Sequence, residues 1–540
     1  MKDIIIVKPE KCVGCNVCVR NCPAPEANII KKLDNGRSIV NINTTKCIAC
    51  GECIRACSHG ARDYVDDTEA FMSRLPDETM IVLADPAIKA AFPNQWKGIL
   101  DWFKKKGCLI YDASFGADIC TWALLSVVES KKCGNIISQP CSAVMNYVKM
   151  YQSVLQKNLA PIYSPSVCMA IYIKNYLRRS NRIALLSPCI AKKLECLDTG
   201  LVEFNVTFRK LMNYFEKNDI VIPSVNYTDY DYDFEDKQGQ LGSLTSRPGG
   251  LSDNILYHNS EVKISSSSGC SKVYVELELY SKTSEKKLPE VFDILSCEYG
   301  CNMGPGTGTT QNYFDVTSYM QGLELDIKGK MSKGKGMFRS GDDKLFKKFD
   351  EDLELDDFLR SYRASKPTPV PTLDDLNPIF ESMNKHTDAE RNHNCGACGY
   401  KSCYDLALAI YRELAAPDAC ICMRSASAGA SADLGGVSEK LAKSAEAISE
   451  SLNGISESNS KIANKTATVN DLLKNIILFC GKNATMDENS VKQMIKILET
   501  TIKSLSSFEE NANITKDRSE DIRKSVSEIT EILGKLKTAH

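Results

Sequence analysis

Two cysteine runs near the start of the chain have the residue type and spacing to hold metal. Cys12, Cys15, Cys18 and Cys22 read CxxCxxCxxxCP, and Cys47, Cys50, Cys53 and Cys57 repeat the pattern without the proline. Three thiolates at this spacing wrap one corner of a cubane, and the trailing cysteine is carried away to the neighbouring cluster. The pattern predicts one 4Fe–4S cluster on Cys12, Cys15, Cys18 and Cys57 and a second on Cys47, Cys50, Cys53 and Cys22. Zinc is the competing metal, but its sites usually show two CxxC pairs rather than two triplets with trailing cysteines. A third group, Cys395, Cys398, Cys403 and Cys420, reads CGACGYKSC, then the segment YDLALAIYREL, then DAC. The intervening segment has apolar residues at helical spacing and is expected to fold back and close the site. Cys422 competes with Cys420 for the fourth position, and zinc again competes with iron and sulfide.

The elements that position these ligands sit in a chain of 540 residues, enough for about three to four domains. A hydrophobic fraction of 43% supports real cores. With 67 basic and 69 acidic residues the net charge is -2, so bulk electrostatics favour neither nucleic acid nor an anionic membrane. No run of about 18 apolar residues occurs, as a spanning helix would need. The N-terminal MKDIIIVKPEKC reads as a short strand entering the first cysteine motif and lacks the apolar core of a signal peptide. A cytoplasmic location is expected, where 24 cysteines point to metal ligation rather than disulfides. KPTPVPT near residue 366 marks a domain boundary. The acidic, tyrosine-rich run within 226–240 and the stretch SKGKGMFRSGDD read as surface loops, the former with partner docking as its alternative. In the last 110 or so residues, Leu434, Leu441, Ile448, Ile455, Ile462, Val469 and Ile476 recur at heptad spacing. After GKNATMDENS the pattern resumes with Val491, Leu498 and Leu505, then Val526 and Leu533. Two heptad blocks predict a coiled-coil hairpin with arms of about 65–70 Å, whose open seam a second copy would cover.

The paired cysteine runs resemble a bacterial two-cluster ferredoxin, and the 395–420 group resembles the small four-cysteine iron–sulfur domain often fused to redox proteins. Four more cysteines have distinctive contexts: Cys141 in SQPCSAVM, Cys189 in SPCIAKKLE, and Cys297 and Cys301 in LSCEYGCNMGPG. With FGAD at 115–118, LAP and SP within 159–165, and RPGGL at 247–251, which contains Gly249 and Gly250, they resemble the iron-only (FeFe) hydrogenases over roughly residues 78–365. The resemblance implies an H-cluster, a 4Fe–4S cubane joined to a diiron unit with CO, cyanide and a bridging dithiolate. It implies that Cys141, Cys189, Cys297 and Cys301 hold the cubane, that Cys301 is the shared thiolate, and that Lys192 of PCxxKxxE bonds a cyanide. Pro86, Gly249 and Gly250 join Lys192 as residues against the cofactor. The heptad region looks like a shortened chemoreceptor signalling bundle without its hairpin-tip motif; a plain dimerisation stalk is the alternative.

The departures from the family gather around the diiron pocket. Pro140 stands where a proton-relaying cysteine is usual, and Ala123 where the next relay glutamate is usual; neither can act as an acid. Glu195, further along that path, is kept. Ala87, Ser187, Leu295 and Ser166 replace a serine, two methionines and a glutamine. Cys168, four residues after Ser164, is the candidate compensating acid, with an inert buried thiol as its alternative. The expected architecture is multidomain α/β plus α: a two-cluster ferredoxin domain (1–66), a two-lobed α/β H-cluster domain (67–365), a linker and small Fe–S domain (366–425) and a helical coiled-coil hairpin (426–540). The expected function is slow interconversion of H2 with protons and electrons, exchanged with ferredoxin or another carrier. It would serve as a hydrogen sensor in a homodimer facing a signalling partner. A metabolic hydrogenase with an oligomerisation tail, and a non-enzymatic iron–sulfur assembly or electron-transfer protein, are the alternatives.

Overall fold

A computed structural model describes residues 3–420 except 25, 34–37, 131–132, 334–343 and 363–370, and beyond 420 only isolated helical positions between 450 and 499. Residues 1–421 form one compact unit and 422–540 another. Cys422, the SKGKGMFRSGDD stretch over most of its length and all the heptad positions lie outside the described residues, as does the hairpin expected from them.

The N-terminal cysteine loops hang on two antiparallel ribbons. Strand β1 (Ile5–Val7) pairs with β4 (Arg62–Tyr64), and β2 (Asn28–Lys32) pairs with β3 (Ser38–Ile42). Each CxxCxxC loop runs into a one-turn helix, Val17–Arg20 or Glu52–Arg55, entered through a left-handed residue: Asn16 at φ 59° and Gly51 at φ 79°. A Cβ at Gly51 would lie 2.5 Å from the Pro305 side chain and 2.8 Å from Ile190. Only glycine lets this loop approach the following domain so closely.

The remaining strands are β5 (Ile81–Ala84), β6 (Leu109–Asp112), β7 (Ile136–Ile137), β8 (Ile183–Ser187), β9 (Phe204–Thr207), β10 (Ile264–Ser268) and β11 (Val291–Leu295). They make two parallel sheets, in the orders β6-β5-β8-β9 and β10-β11-β7. The sequences IVLA of β5 and IALLS of β8 are wholly buried, the continuous apolar runs of parallel strands covered on both faces. Phe71, Trp96, Phe103 and Phe215 fill one side of the larger sheet; Phe115, Trp122, Val167 and Phe358 fill the other. Because the strands are parallel, the loops after β5, β7, β8 and β11 leave from strand C-terminal ends, where such folds form ligand crevices.

The tyrosine-rich segment has no regular structure over most of its length, as expected, but it is not simply solvated. Phe234 is buried, Tyr227 and Tyr232 pack on the aromatic side of the larger sheet, and Tyr232 donates to Asp101 at 2.9 Å. Its apolar rings outweigh its charge as a guide to its placement. No helix among the described residues is long and apolar enough to cross a membrane.

The helix Ala113–Glu129 is buried over most of its length and packs against Pro165–Ile171. A Cβ at Gly116 would lie 2.3 Å from the Pro165 carbonyl oxygen and 2.6 Å from the Met169 Cβ. Gly116→Val is therefore expected to destabilise the fold by about 1–3 kcal/mol through overpacking. Denaturant unfolding measures this, and an unchanged midpoint would show that the two helices are free to separate.

Candidate functional site

The eight N-terminal cysteines are sorted into two cavities. Cys12, Cys15, Cys18 and Cys57 line one, and Cys22, Cys47, Cys50 and Cys53 line the other. The trailing cysteine of each run thus sits with the other run's triplet. Each cavity encloses about 320 Å3. Ala49 N donates to Cys47 Sγ at 3.4 Å. The buried Arg62, which sequence reasoning passed over, donates to Cys18 Sγ at 3.1 Å and to Asn28 Oδ1 at 3.3 Å. Burial pushes the Cys47 thiol up to about 11, so these sulfurs need cationic partners to be held as thiolates. In the third group Cys398, Cys403 and Cys420 are buried and Cys395 is exposed. Asn394 N donates to Cys403 Sγ at 3.4 Å, and the helix Cys403–Tyr411 runs between the third and fourth cysteines.

The largest of these cavities, about 860 Å3, lies where the parallel strands end. Cys141 comes from the loop after β7, Cys189 from that after β8, and Cys297 and Cys301 from that after β11; all four line it. Ser296 N donates to Cys141 Sγ at 3.5 Å. Burial pushes Cys189 up to about 12, with Cys141 adding to the effect and Lys192 opposing it. Pro86, Pro140, Ser166 and Leu295 complete much of the wall. Ser246 Oγ also faces the cavity and is buried without a hydrogen-bond partner among the described residues. Four crowded sulfurs and an orphaned hydroxyl fit a bound metal cluster with polar ligands.

Lys192 lines the cavity and is buried. Its Nζ donates to Glu195 Oε2 at 2.5 Å and to Ser164 Oγ at 2.9 Å. Burial alone would lower its proton affinity, but the Glu195 carboxylate outweighs this and holds it above the ordinary lysine range. Glu195 is not in the cavity wall. It accepts from Ser142 Oγ at 3.2 Å and lies 3.7 Å from Arg360, which also pairs with the half-exposed Asp198. A polar chain therefore runs from the cavity through Lys192, Glu195 and Arg360 to the surface.

Three expected residues are not brought to the wall. Cys168 turns its sulfur to the Tyr163 carbonyl oxygen at 3.2 Å, and burial, with Cys120 beside it, pushes its thiol well up. Both effects count against an acid at the cavity. Gly249, at φ 71°, and Gly250 instead start the helix Gly250–His258, where a Cβ at Gly250 would lie 1.8 Å from the Leu244 carbonyl oxygen. Ala123 is buried in the apolar core, and Ser187 donates to Asn205 Oδ1 at 2.7 Å rather than lining the wall. Ala87 supplies a backbone N–H to Asp85 Oδ1 at 2.9 Å.

Asp85 is the acid that the sequence analysis missed. It lines the cavity opposite no compensating contact but the Ala87 N–H and the charge of Lys192. Burial pushes its carboxyl up to about 6. An aspartate before a proline reads as a turn residue, and only the convergence of strand ends reveals that it faces the site. Asp118, the last residue of the FGAD segment, accepts from Gln240 N and Gly242 N, each at 2.6 Å, and so fixes the loop that carries Ser246.

Residues 78–305 match the family model of the iron-only hydrogenase large subunit, C-terminal domain. Residues 4–58 match a 4Fe-4S dicluster domain, and residues 392–422 match the FeS family of cluster domains. No curated protein matches the chain. Among solved structures, an apo FeFe-hydrogenase from Chlamydomonas reinhardtii aligns at 12% identity and TM-score 0.41, over 56% of this chain and 100% of its own. A variant of the same alga's enzyme aligns at 13% identity and TM-score 0.42, with the same coverage. Residues 78–305 are thus similar to the iron-only hydrogenase large-subunit family, and this match lies between matches to a 4Fe-4S dicluster domain and a small Fe-S cluster domain.

Proposed function

We propose that the chain interconverts H2 with protons and electrons at an H-cluster, slowly, as a hydrogen-responsive sensor. The observation that carries the first part is the large cavity: four cysteine sulfurs, Cys141 buried and Cys189, Cys297 and Cys301 half-buried, converge on a site of about 860 Å3 including its open mouth, against about 320 Å3 for each four-cysteine cavity of the dicluster domain. The larger site is more than twice the size of either, as a group larger than a single cubane would need. Cys141, Cys189, Cys297 and Cys301 would hold the cubane, with Cys301 shared with the diiron unit, and that group would supply the H2 chemistry. Lys192 presents a buried ammonium suited to an anionic ligand such as cyanide. The cysteine groups at 12–57 and 395–420 would hold three further cubanes and pass electrons to an external carrier.

Slowness follows from the wall. Pro140 offers no proton, Ala123 lies in apolar surroundings, and Cys168 faces away. Asp85 is then the carboxyl best placed to hold a proton at the cavity, and the Lys192–Glu195–Arg360 chain, which contains a guanidinium that does not release protons, is a poor conduit. A pocket that retains its cofactor ligands but restricts protons suits detection better than flux. The heptad region within 426–540 would dimerise and carry the output in a cytoplasmic signalling protein.

Protein matured with a diiron unit should show infrared bands of CO and cyanide, and Lys192→Ala should lose these bands while keeping cubane iron. Absence of the bands in the matured native chain would favour an iron–sulfur assembly or electron-transfer protein instead. Hydrogen evolution should need Asp85 protonated, so it should be highest below pH about 6 and fall as pH rises through that value. Asp85→Asn should reduce it by about 10²–10⁴-fold and flatten the pH profile, whereas Cys168→Ala should leave it unchanged. Pro140→Cys alone should recover little turnover; Pro140→Cys with Ala123→Glu should recover more. Native turnover equal to that of metabolic hydrogenases would count against the sensor reading.

A further inference from the structure

The small Fe–S domain is docked by its ligand loop onto a ligand loop of the dicluster domain. Asn16, between Cys15 and Cys18, donates from Nδ2 to the carbonyl oxygen of Cys398 at 3.0 Å, in a buried bond. Arg20 donates to the Gly396 carbonyl at 2.7 Å. Gly399, at φ 94°, comes so close that a Cβ there would lie 2.7 Å from the Asn16 Cβ and 3.3 Å from the Val19 Cβ. Around this contact Ile30 N donates to the Leu414 carbonyl at 2.9 Å, Glu26 pairs with Arg412 at 2.5 Å, and Lys32 pairs with Asp418 at 3.1 Å.

Charged and backbone bonds ring a centre where two cysteine-bearing loops touch, one of them through a residue that only glycine can replace without displacing the other. A domain held merely for stability has no need to present its ligand loop. From this juxtaposition we infer that the Cys395–Cys420 site is an electron station wired to the dicluster domain through the Asn16–Cys398 contact. It is the last station before the chain enters its C-terminal unit. The inference rests on the reading of these cysteine groups as 4Fe–4S sites. The step is a one-electron exchange: one reduced cluster is oxidised and the other is reduced, with no bond broken and no proton moved. The electrons come from H2 at the large cavity or from dithionite.

The test uses the full chain with its clusters reconstituted, reduced with dithionite and followed by electron paramagnetic resonance. Spin–spin splitting between neighbouring reduced clusters is expected, and Cys398→Ala, which removes a ligand of the third site, should remove part of it. Gly399→Val, which pushes the loops apart, and Asn16→Gly, which deletes the bond but tolerates the positive φ, should weaken the splitting with iron per chain retained. Full iron content with an unsplit signal, or splitting indifferent to both contact variants, overturns the wiring. Iron content unchanged by Cys398→Ala would instead overturn the cluster reading of the third site, and the wiring with it.

Discussion

The cysteine groups in the described structure face the same physical constraint: sulfur atoms that must act together are brought side by side, most of them buried or half-buried. Burial penalises a thiolate, and a neighbouring thiolate adds repulsion. Burial is the leading cause for Cys53, Cys297 and Cys301 alike, and the cysteines around each of them add to it. Such groups are held as thiolates only where cations offset their repulsion, as a bound cluster would. The protein's own contributions are small but directed. A guanidinium at Cys18 and backbone N–H groups at Cys47, Cys141 and Cys403 each stabilise sulfur charge without occupying the cavity.

The same constraint accounts for the architecture between the clusters. Cysteines from three separate loops can meet only if their loops leave one edge of the framework together, and parallel strands with both faces buried provide that edge. The smaller dicluster domain solves the problem differently, by exchanging trailing cysteines between two pseudo-repeated loops. The two solutions touch at Gly51, next to Cys50, where the absence of a side chain lets the dicluster loop reach Pro305 and Ile190 of the cavity wall. Cys50 itself lines both the dicluster cavity and the large cavity.

The cysteine grouping was legible because ligand spacing is local chemistry: a short loop either can or cannot wrap a cluster. The strand at Ile5–Val7 and the helix after Cys403 were legible for a similar reason. What sequence reasoning missed depends on orientation. Ser166 and Cys168 share the helix Pro165–Ile171, but a step of two residues turns about 200° around the axis. Ser166 therefore reaches the wall while Cys168 reaches Cys120 and the Tyr163 carbonyl. Gly249 and Gly250 lie in a recognisable motif, yet serve a tight turn against Leu244 rather than the cavity. Asp85 carried no periodic or motif signal of its own, because its position depends on where β5 ends relative to β8 and β11.

The contrast between Lys192 and Pro140 is the most informative feature of the site for function. Keeping Lys192 buried is costly: without Glu195 its charge would be uncompensated, and the Lys192–Glu195 pair is in turn supported by Ser164, Ser142 and Arg360. That investment has a purpose if the lysine holds a charged ligand of the cofactor. Pro140 and Ala123, by contrast, remove ionisable groups from the family route and leave apolar surface. On the proposed reading, retention of Lys192 beside the apolar Pro140 would separate cofactor binding from proton throughput. A protein whose task is to register H2 by the redox state of its clusters needs the former and gains from restraint in the latter, because rapid turnover would tie that state to proton supply rather than to the gas.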